Sequence, residues 1–441
     1  MGGRNSYLVA HLESRTALKH LLFWSIIAAA FIGPGTVTTA AKAGAAFGPG
    51  LLWALWFSTL ATLVLQEAAA RLPMLTGLNL GQAIAQRFAG RRQRLVRGLL
   101  AGAVVFGCAA YQTGNLLGAL LGLRLIWPTL GSWALLPLGA LAALLLWQGR
   151  LQRIARGLGL LVAAMGLMFI CVASQTPLAA GAMLRGSLLP QLPAGSEWLV
   201  IALVGTTIVP YNLFLGSGLP HGQSLRQMRL GLGLAVGLGG VISAAILLVG
   251  TQVQGAFSLA GLSQAIGAEV GAVAQGLFAW GLFAAGFTSA TTAPLAAALT
   301  ASGVWGDAHP RWQPQGRAFR LVWGGVLGVG LLFGLLDLPP VPAIILAQAL
   351  NGLLLPAVAV FLYRLINDRS LIPAGHRNAS WLNGLTLLVV GVALLLGLLN
   401  LSRAAGRVLG VDVGEGWLPW LGGICALLVA AVAWRGGKQD M

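Results

Sequence analysis

Long apolar runs recur along the whole chain, each ended by a short polar or arginine-bearing stretch. A helix needs about 20 mostly apolar residues to cross the hydrocarbon layer of a bilayer. Twelve segments meet that need: 20–45, 48–70, 96–123, 131–148, 154–175, 198–216, 231–253, 270–300, 318–336, 340–363, 380–400 and 418–435. The pattern predicts an all-α polytopic membrane protein with twelve transmembrane helices.

Two runs carry breakers in their middle. The first contains Gly33-Pro34-Gly35-Thr36, and the sixth contains Thr206-Thr207-Ile208-Val209-Pro210-Tyr211-Asn212. Proline removes a backbone donor and glycine relaxes the chain. Backbone groups freed at membrane depth must find partners, and they are tolerated where they line a cavity. The breaks lie five helices apart. Five is odd, so the two halves would run in opposite senses. That predicts an inverted 5+5 repeat with helices 1 and 6 unwound around a central site. The expected division is an N-terminal segment 1–19, a first repeat 20–175, a second repeat 198–363, accessory helices 380–435 and a tail 436–441.

The basic residues support the count. With the N-terminus inside, 22 of the 27 lysines and arginines fall on the inner side, from Arg4 through Arg71, Arg87, Arg150, Arg229, Arg317 and Arg377 to Lys438. Only Lys42, Arg124, Arg185, Arg403 and Arg407 fall outside. A miscounted helix would scramble this asymmetry from that point on. Both termini are therefore expected in the cytoplasm, with a bacterial inner membrane as the setting. The net charge of +17 is spread over these loops and forms no compact basic domain, which argues against nucleic-acid binding. Charged residues make up 8% of the chain, too few for the polar shell of a soluble domain. Cys108, Cys171 and Cys425 sit in apolar runs and read as packing residues. No cofactor is implied. The five histidines lie at the termini or in loops, so no midplane nucleophile and base pair is visible and an enzyme is not expected. The partners implied are the lipid bilayer and a small-molecule or ion substrate.

The ordered motifs resemble the Nramp family of metal-ion transporters, which share the LeuT-type fold. The family's Asp-Pro-Gly-Asn falls on Gly33-Pro34-Gly35-Thr36, and the run Ala43–Gly48 with Leu51-Leu52-Trp53 keeps register. Leu65-Gln66, Ala69–Leu72 and Thr76-Gly77 resemble the end of its second helix. Its Met-Pro-His-Asn falls on Val209-Pro210-Tyr211-Asn212. Phe283–Gly286 resembles the start of its eighth helix, and Gln348 with Leu354-Leu355-Pro356 its tenth. The similarity spans roughly residues 20 to 370.

The resemblance also exposes what has changed. The family's Asp, Asn and Met ligands fall on Gly33, Thr36 and Val209, and its carbonyl donor on Thr206. The anionic ligand and the soft sulfur that favours transition metals are both replaced. A dehydrated divalent cation in a low-dielectric site would lack compensating charge. The acidic positions of helix 3 fall on Gln112 and Asn115, and the helix-6 histidine on Tyr211, none of which titrates near neutrality. Of the ten carboxylates only Glu67 lies within a span, near its inner end. The expected site is a neutral polar cavity. It is drawn from Gly33, Pro34, Gly35, Thr36, Thr206, Thr207, Val209, Tyr211 and Asn212, with Gln112, Asn115, Phe287, Thr288, Gln348 and Asn351 approaching from helices 3, 8 and 10. The amides either line it or bond between helices. Lys42 either faces the outer vestibule, where it would repel cations, or extends to the headgroups. The expected function is an Nramp-like alternating-access carrier of a small polar organic solute, without the family's proton relay. The alternative is weakly selective transport of a hydrated divalent cation such as Mg²⁺.

Overall fold

The computed structural model describes residues 32–87, 91–149, 151–217, 224–306, 309–409 and 418–437. The expected N-terminal segment, the first half of the first span and the last residues of the tail lie outside them. Sixteen α-helices follow in order among the described residues. They are α1 (Pro34–Phe47), α2 (Leu52–Thr76), α3 (Leu80–Arg87), α4 (Arg91–Ile126), α5 (Leu135–Gln148), α6 (Leu151–Gln175), α7 (Ala180–Leu188) and α8 (Glu197–Thr207). The second half has α9 (Pro210–Gly216), α10 (Leu225–Gly250), α11 (Leu259–Val270), α12 (Ala272–Trp305), α13 (Arg317–Gly334), α14 (Pro340–Ile366), α15 (Ser380–Leu409) and α16 (Leu418–Gly437).

Nine of the described helical stretches are long and apolar enough to cross a membrane. Two shorter apolar helices, Ser132–Gln148 and Trp420–Val432, fall on the fourth and twelfth expected spans. The first two expected spans appear as one stretch, Pro34–Thr76, which includes the 3₁₀ turn Gly48–Leu51. Three connections expected as loops instead hold the short helices α3, α7 and α11. At 8, 9 and 12 residues they are too short to have registered as spans. Local chemistry starts two of them. Asn79 and Gln82 exchange side-chain and backbone hydrogen bonds at the head of α3, and Ser258 accepts from Gly261 N–H at the head of α11.

The long α4 packs against α12, α13 and α14, while α14 also packs on α8 and α1 packs on α10. Glycines permit the closest approaches. A Cβ on Gly286 of α12 would fall 2.3 Å from the Ala119 nitrogen of α4, and one on Gly250 of α10 would fall 2.2 Å from the Ala41 carbonyl of α1. In lipid, where apolar side chains gain little from leaving the solvent, such backbone-close packing is what holds helices together. In the glycine-rich start of α10, Gly240 is pressed on Thr59 of α2, whereas Gly233 and Gly237 face open space.

Candidate functional site

The break in the sixth span is visible on both sides, and the one in the first span is described from Gly33 onward only. Helix α1 begins at Pro34, with Gly33 extended as its N-cap (φ −86°, ψ 171°). The preceding half of that span lies outside the described residues. In the sixth span, α8 stops at Thr207, Ile208 and Val209 leave helical geometry, and α9 restarts at Pro210. The cause is local. A residue before proline is pushed into extended geometry, and Val209 adopts it (φ −86°, ψ 119°). Pro210 has no N–H to offer the Thr206 carbonyl four residues back, so the helical ladder ends there.

The breaks meet. The hydroxyls of Thr36 and Thr206 share a hydrogen bond of 3.0 Å, and both residues are fully buried. Gln348 of α14 lies flat on the first turn of α1. A Cβ on Gly35 would fall 2.1 Å from its Nε2, so any larger residue there would have to displace the Gln348 amide. Gly205 of α8 packs on the Gln348 carbonyl in the same way, with 2.0 Å to a built Cβ. These two glycines bring the three chain segments together at one point.

Helix α4 supplies the fourth wall, and its faces are told apart by what they touch. Gly107 meets the Asn351 side chain, Tyr111 interacts with Thr206 and Gln348, and Gly118 meets the Pro34 ring. Residues 107, 111 and 118 lie on one helical face, and 115 falls on it at i+4 from 111. Asn115 thus stands between Tyr111 and Gly118 on that face, with its Nδ2 lacking a partner. Gln112 points elsewhere. Its Nε2 donates to the Ala290 carbonyl of α12 at 2.8 Å, and its methylenes lie on Gly330 of α13. Gln112 makes the interhelical bond with one end of its amide, and its Oε1, like Asn115 Nδ2, is buried without a hydrogen-bond partner.

The other expected residues divide similarly. Tyr211 is buried and meets Tyr111 edge-on, with ring centroids 5.7 Å apart. The Asn212 carbonyl accepts from Gln66 Nε2 at 3.1 Å, and its own Nδ2 has no partner. Val209 is buried at the break. Gln348 Oε1 and Asn351 Nδ2 are buried without partners. The Thr207 hydroxyl donates back to Leu203, and that of Thr288 to Ala284, each within its own helix. Phe287 stacks on Phe283 and packs with Leu116 and Leu120, away from the breaks. From α12 it is Ser289, not Thr288, that lies beside Gly33. Lys42 sits half-buried two turns along α1. Tyr111 and Ser289 were not legible as site residues, because positional register fixes where a residue stands along a helix but not its neighbour.

The assembled site offers hydroxyls, amides, aromatic edges and the first turn of α1, a helix N-terminus that carries partial positive charge. Among the described residues, no group of three or more His, Cys, Asp or Glu side chains is placed to hold a metal ion. Buried amide atoms without partners are costly, at about 1–3 kcal/mol each, and at a site they mark where a ligand or water completes the bonding.

Residues 25–403 match the family model described as Natural resistance-associated macrophage protein-like. A divalent metal cation transporter, MntH, of Mycobacterium tuberculosis is 28% identical over 409 residues, which cover 86% of this chain and 92% of the relative. The protein of the same name from Xanthomonas campestris is 28% identical over 403 residues, 84% of this chain and 88% of its own. A mutant of the Eremococcus coleocola manganese transporter superposes with a TM-score of 0.68 at 20% identity, covering 95% of this chain and 93% of that one. Mhp1, a nucleobase-cation-symport-1 family transporter solved with bromovinylhydantoin bound, superposes with a TM-score of 0.57 at 17% identity over 95% and 93%. At these identities the two structures establish the fold, which is the LeuT-type arrangement.

Proposed function

Because the chain belongs to the Nramp family of integral membrane transporters, we propose that it carries a small, uncharged polar solute by alternating access around the two helix breaks. The observation that carries this reading is the Thr36–Thr206 hydroxyl pair at 3.0 Å, standing where a metal-binding relative would hold a charged ligand set. A neutral site matches a solute whose own donors and acceptors meet Asn115, Asn212 and Gln348, which have buried atoms to offer. Bare divalent cations fit poorly, since their desolvation needs anionic compensation. On this reading the coupling proton is absent as well, and the inner face is the arginine-rich one.

A second reading is favoured by the names of the curated relatives, which are divalent metal cation transporters. A hydrated cation held by carbonyls, hydroxyls and amides would then be the cargo, with weak selectivity.

Restoring the missing ligands separates the two. A Cβ on Gly33 would meet only the Ser289 hydroxyl, at 3.5 Å, so an aspartate fits there and suits the N-cap of α1. The Gly33→Asp/Val209→Met double variant is expected to gain Mn²⁺ binding by calorimetry in detergent, while the unmodified protein shows none over the same range. Equal binding by both would sink the neutral-solute reading.

A further inference from the structure

Helix α3 sits where no span was expected, on the arginine-rich face, and it touches three separate parts of the transporter. Leu80 N–H donates to Ser217 Oγ at 3.0 Å, and Ser217 is the residue that ends α9. A Cβ on Gly81 would fall 3.0 Å from the Gly303 carbonyl carbon near the end of α12, and Gly303 itself faces the Asn79 side chain. Arg87 forms an ion pair of 2.5 Å with Asp368, in the turn that follows α14. Leu80, Ala83 and Ile84 are buried beneath it. The helix is fixed at its head by the Asn79–Gln82 exchange and at its foot by Arg87.

Its anchor points matter because of what they join. Helix α9 is the second half of the broken sixth span and contains Tyr211 and Asn212. Helix α12 carries Ser289 beside Gly33, and α14 carries Gln348. If the site opens toward the arginine-rich face, α9 must separate from α12 or α14 there, and α3 bridges all three. Asp368 is well prepared as the holding point. Burial alone would raise its carboxyl, but the hydroxyl and N–H of Ser370, at 2.6 and 2.9 Å, together with Arg87, outweigh burial and keep it below the ordinary carboxylate value. The exposed side of the pair is Arg87, 37% accessible, so the latch can be undone without unpacking the core.

We propose that α3 is a strap that holds the arginine-rich mouth of the pathway shut, and that release of Arg87 from Asp368 is the step that frees it. The proposal rests on the alternating-access reading but not on the identity of the solute. Arg87 is exposed, and the buried Asp368 carboxylate keeps both Ser370 hydrogen bonds when Arg87 leaves, so loss of the pair shifts a balance between closed and open states and does not unfold the protein.

The test is cysteine accessibility from one face. Val209→Cys is introduced into the full chain after Cys108, Cys171 and Cys425 are replaced by serine or alanine, and inside-out vesicles are treated with a membrane-impermeant maleimide. Arg87→Ala and Asp368→Asn are each expected to raise the labelling rate about 3- to 10-fold, which corresponds to about 0.7–1.4 kcal/mol of latch energy. The swapped pair Arg87→Asp/Asp368→Arg is expected to return the rate toward its original value, a readout that misfolding would not produce. Unchanged labelling in both single variants overturns the proposal, as does a swap that labels as fast as either single change. Labelling needs no solute, so a failed uptake screen would count against the proposed cargo and leave this result standing.

Discussion

The midplane site and the arginine-rich face treat buried polar groups in opposite ways. At the face, charges are paired several times over. Glu67 lies between Arg71 and Arg229, at 3.3 and 2.9 Å. Arg71 reaches on to the His376 carbonyl and the Asn378 side chain, and beside them Asn367 and Asn383 exchange amide hydrogen bonds while Asn378 donates to Asn383. Around the breaks the described residues form no ion pair, and Gln112, Asn115, Asn212, Gln348 and Asn351 each leave a buried atom without a hydrogen-bond partner, whereas at the face the buried Nε of Arg71 lacks a hydrogen bond but keeps its ion pair with Glu67. One region uses polarity to fix a structure. The other leaves buried amides part-satisfied, as the proposed solute site requires.

Mutations sharpen this contrast in order of effect. The largest should come from Glu67→Ala. Arg71 is only 3% exposed and would keep a buried charge without its carboxylate, at a cost of about 3–5 kcal/mol, read as a fall in the detergent melting temperature. Next is Gly205→Ala, whose Cβ would lie 2.0 Å from the Gln348 carbonyl. Neither backbone can give way cheaply, so a loss of roughly 1–3 kcal/mol is expected, with uptake of any solute abolished as α14 is pushed off α8. Thr36→Val removes the hydroxyl pair at 3.0 Å. Interhelical hydrogen bonds in membranes average only about 0.6 kcal/mol, so its melting temperature should hardly move while transport falls. A Thr36→Val change that destabilises as much as Glu67→Ala would erase the distinction between the two regions.

The smallest effect concerns pH. Asp368 has its carboxyl held below its ordinary value of 3.8 by Ser370 and Arg87, against burial. A depressed carboxylate stabilises the fold above its unfolded value, and that contribution disappears as pH falls through the folded value. Asp368→Asn should therefore lower the melting temperature by a constant amount across the neutral range, with the gap closing only below pH 3.8. A gap that closes near neutrality would show that another group governs the latch.

How much of this was legible in the chain follows from what each signal encodes. Apolar run length located the spans, since bilayer thickness sets it directly. Both breaks were legible because Pro34 and Pro210 act on their own backbone. The short helices α3, α7 and α11 were not, as they are held by partners far away in sequence, such as Ser217 for α3 and the Gln191 carbonyl for the loop after α7, which accepts from Trp53. Within the site, register placed Gln112 and Asn115 together. At about 100° per residue the two side chains point roughly 60° apart, and Gln112 reaches Ala290 while Asn115 Nδ2 finds no partner, a difference that alignment by position does not carry. Tyr111 and Ser289 were missed for the same reason, and tertiary contacts reveal them, Tyr111 through Thr206, Gln348 and Tyr211 and Ser289 through Gly33.

The most direct test of a neutral, solute-carrying site is uptake of Mn²⁺ and Mg²⁺ into proteoliposomes, run beside a metal-transporting relative. The account predicts that neither ion enters above the empty-liposome background while the relative transports, and that uncharged amide-bearing solutes do enter. Saturable entry of either ion, competed by the other, would contradict it and make a hydrated cation held by Thr36, Thr206 and Gln348 the cargo.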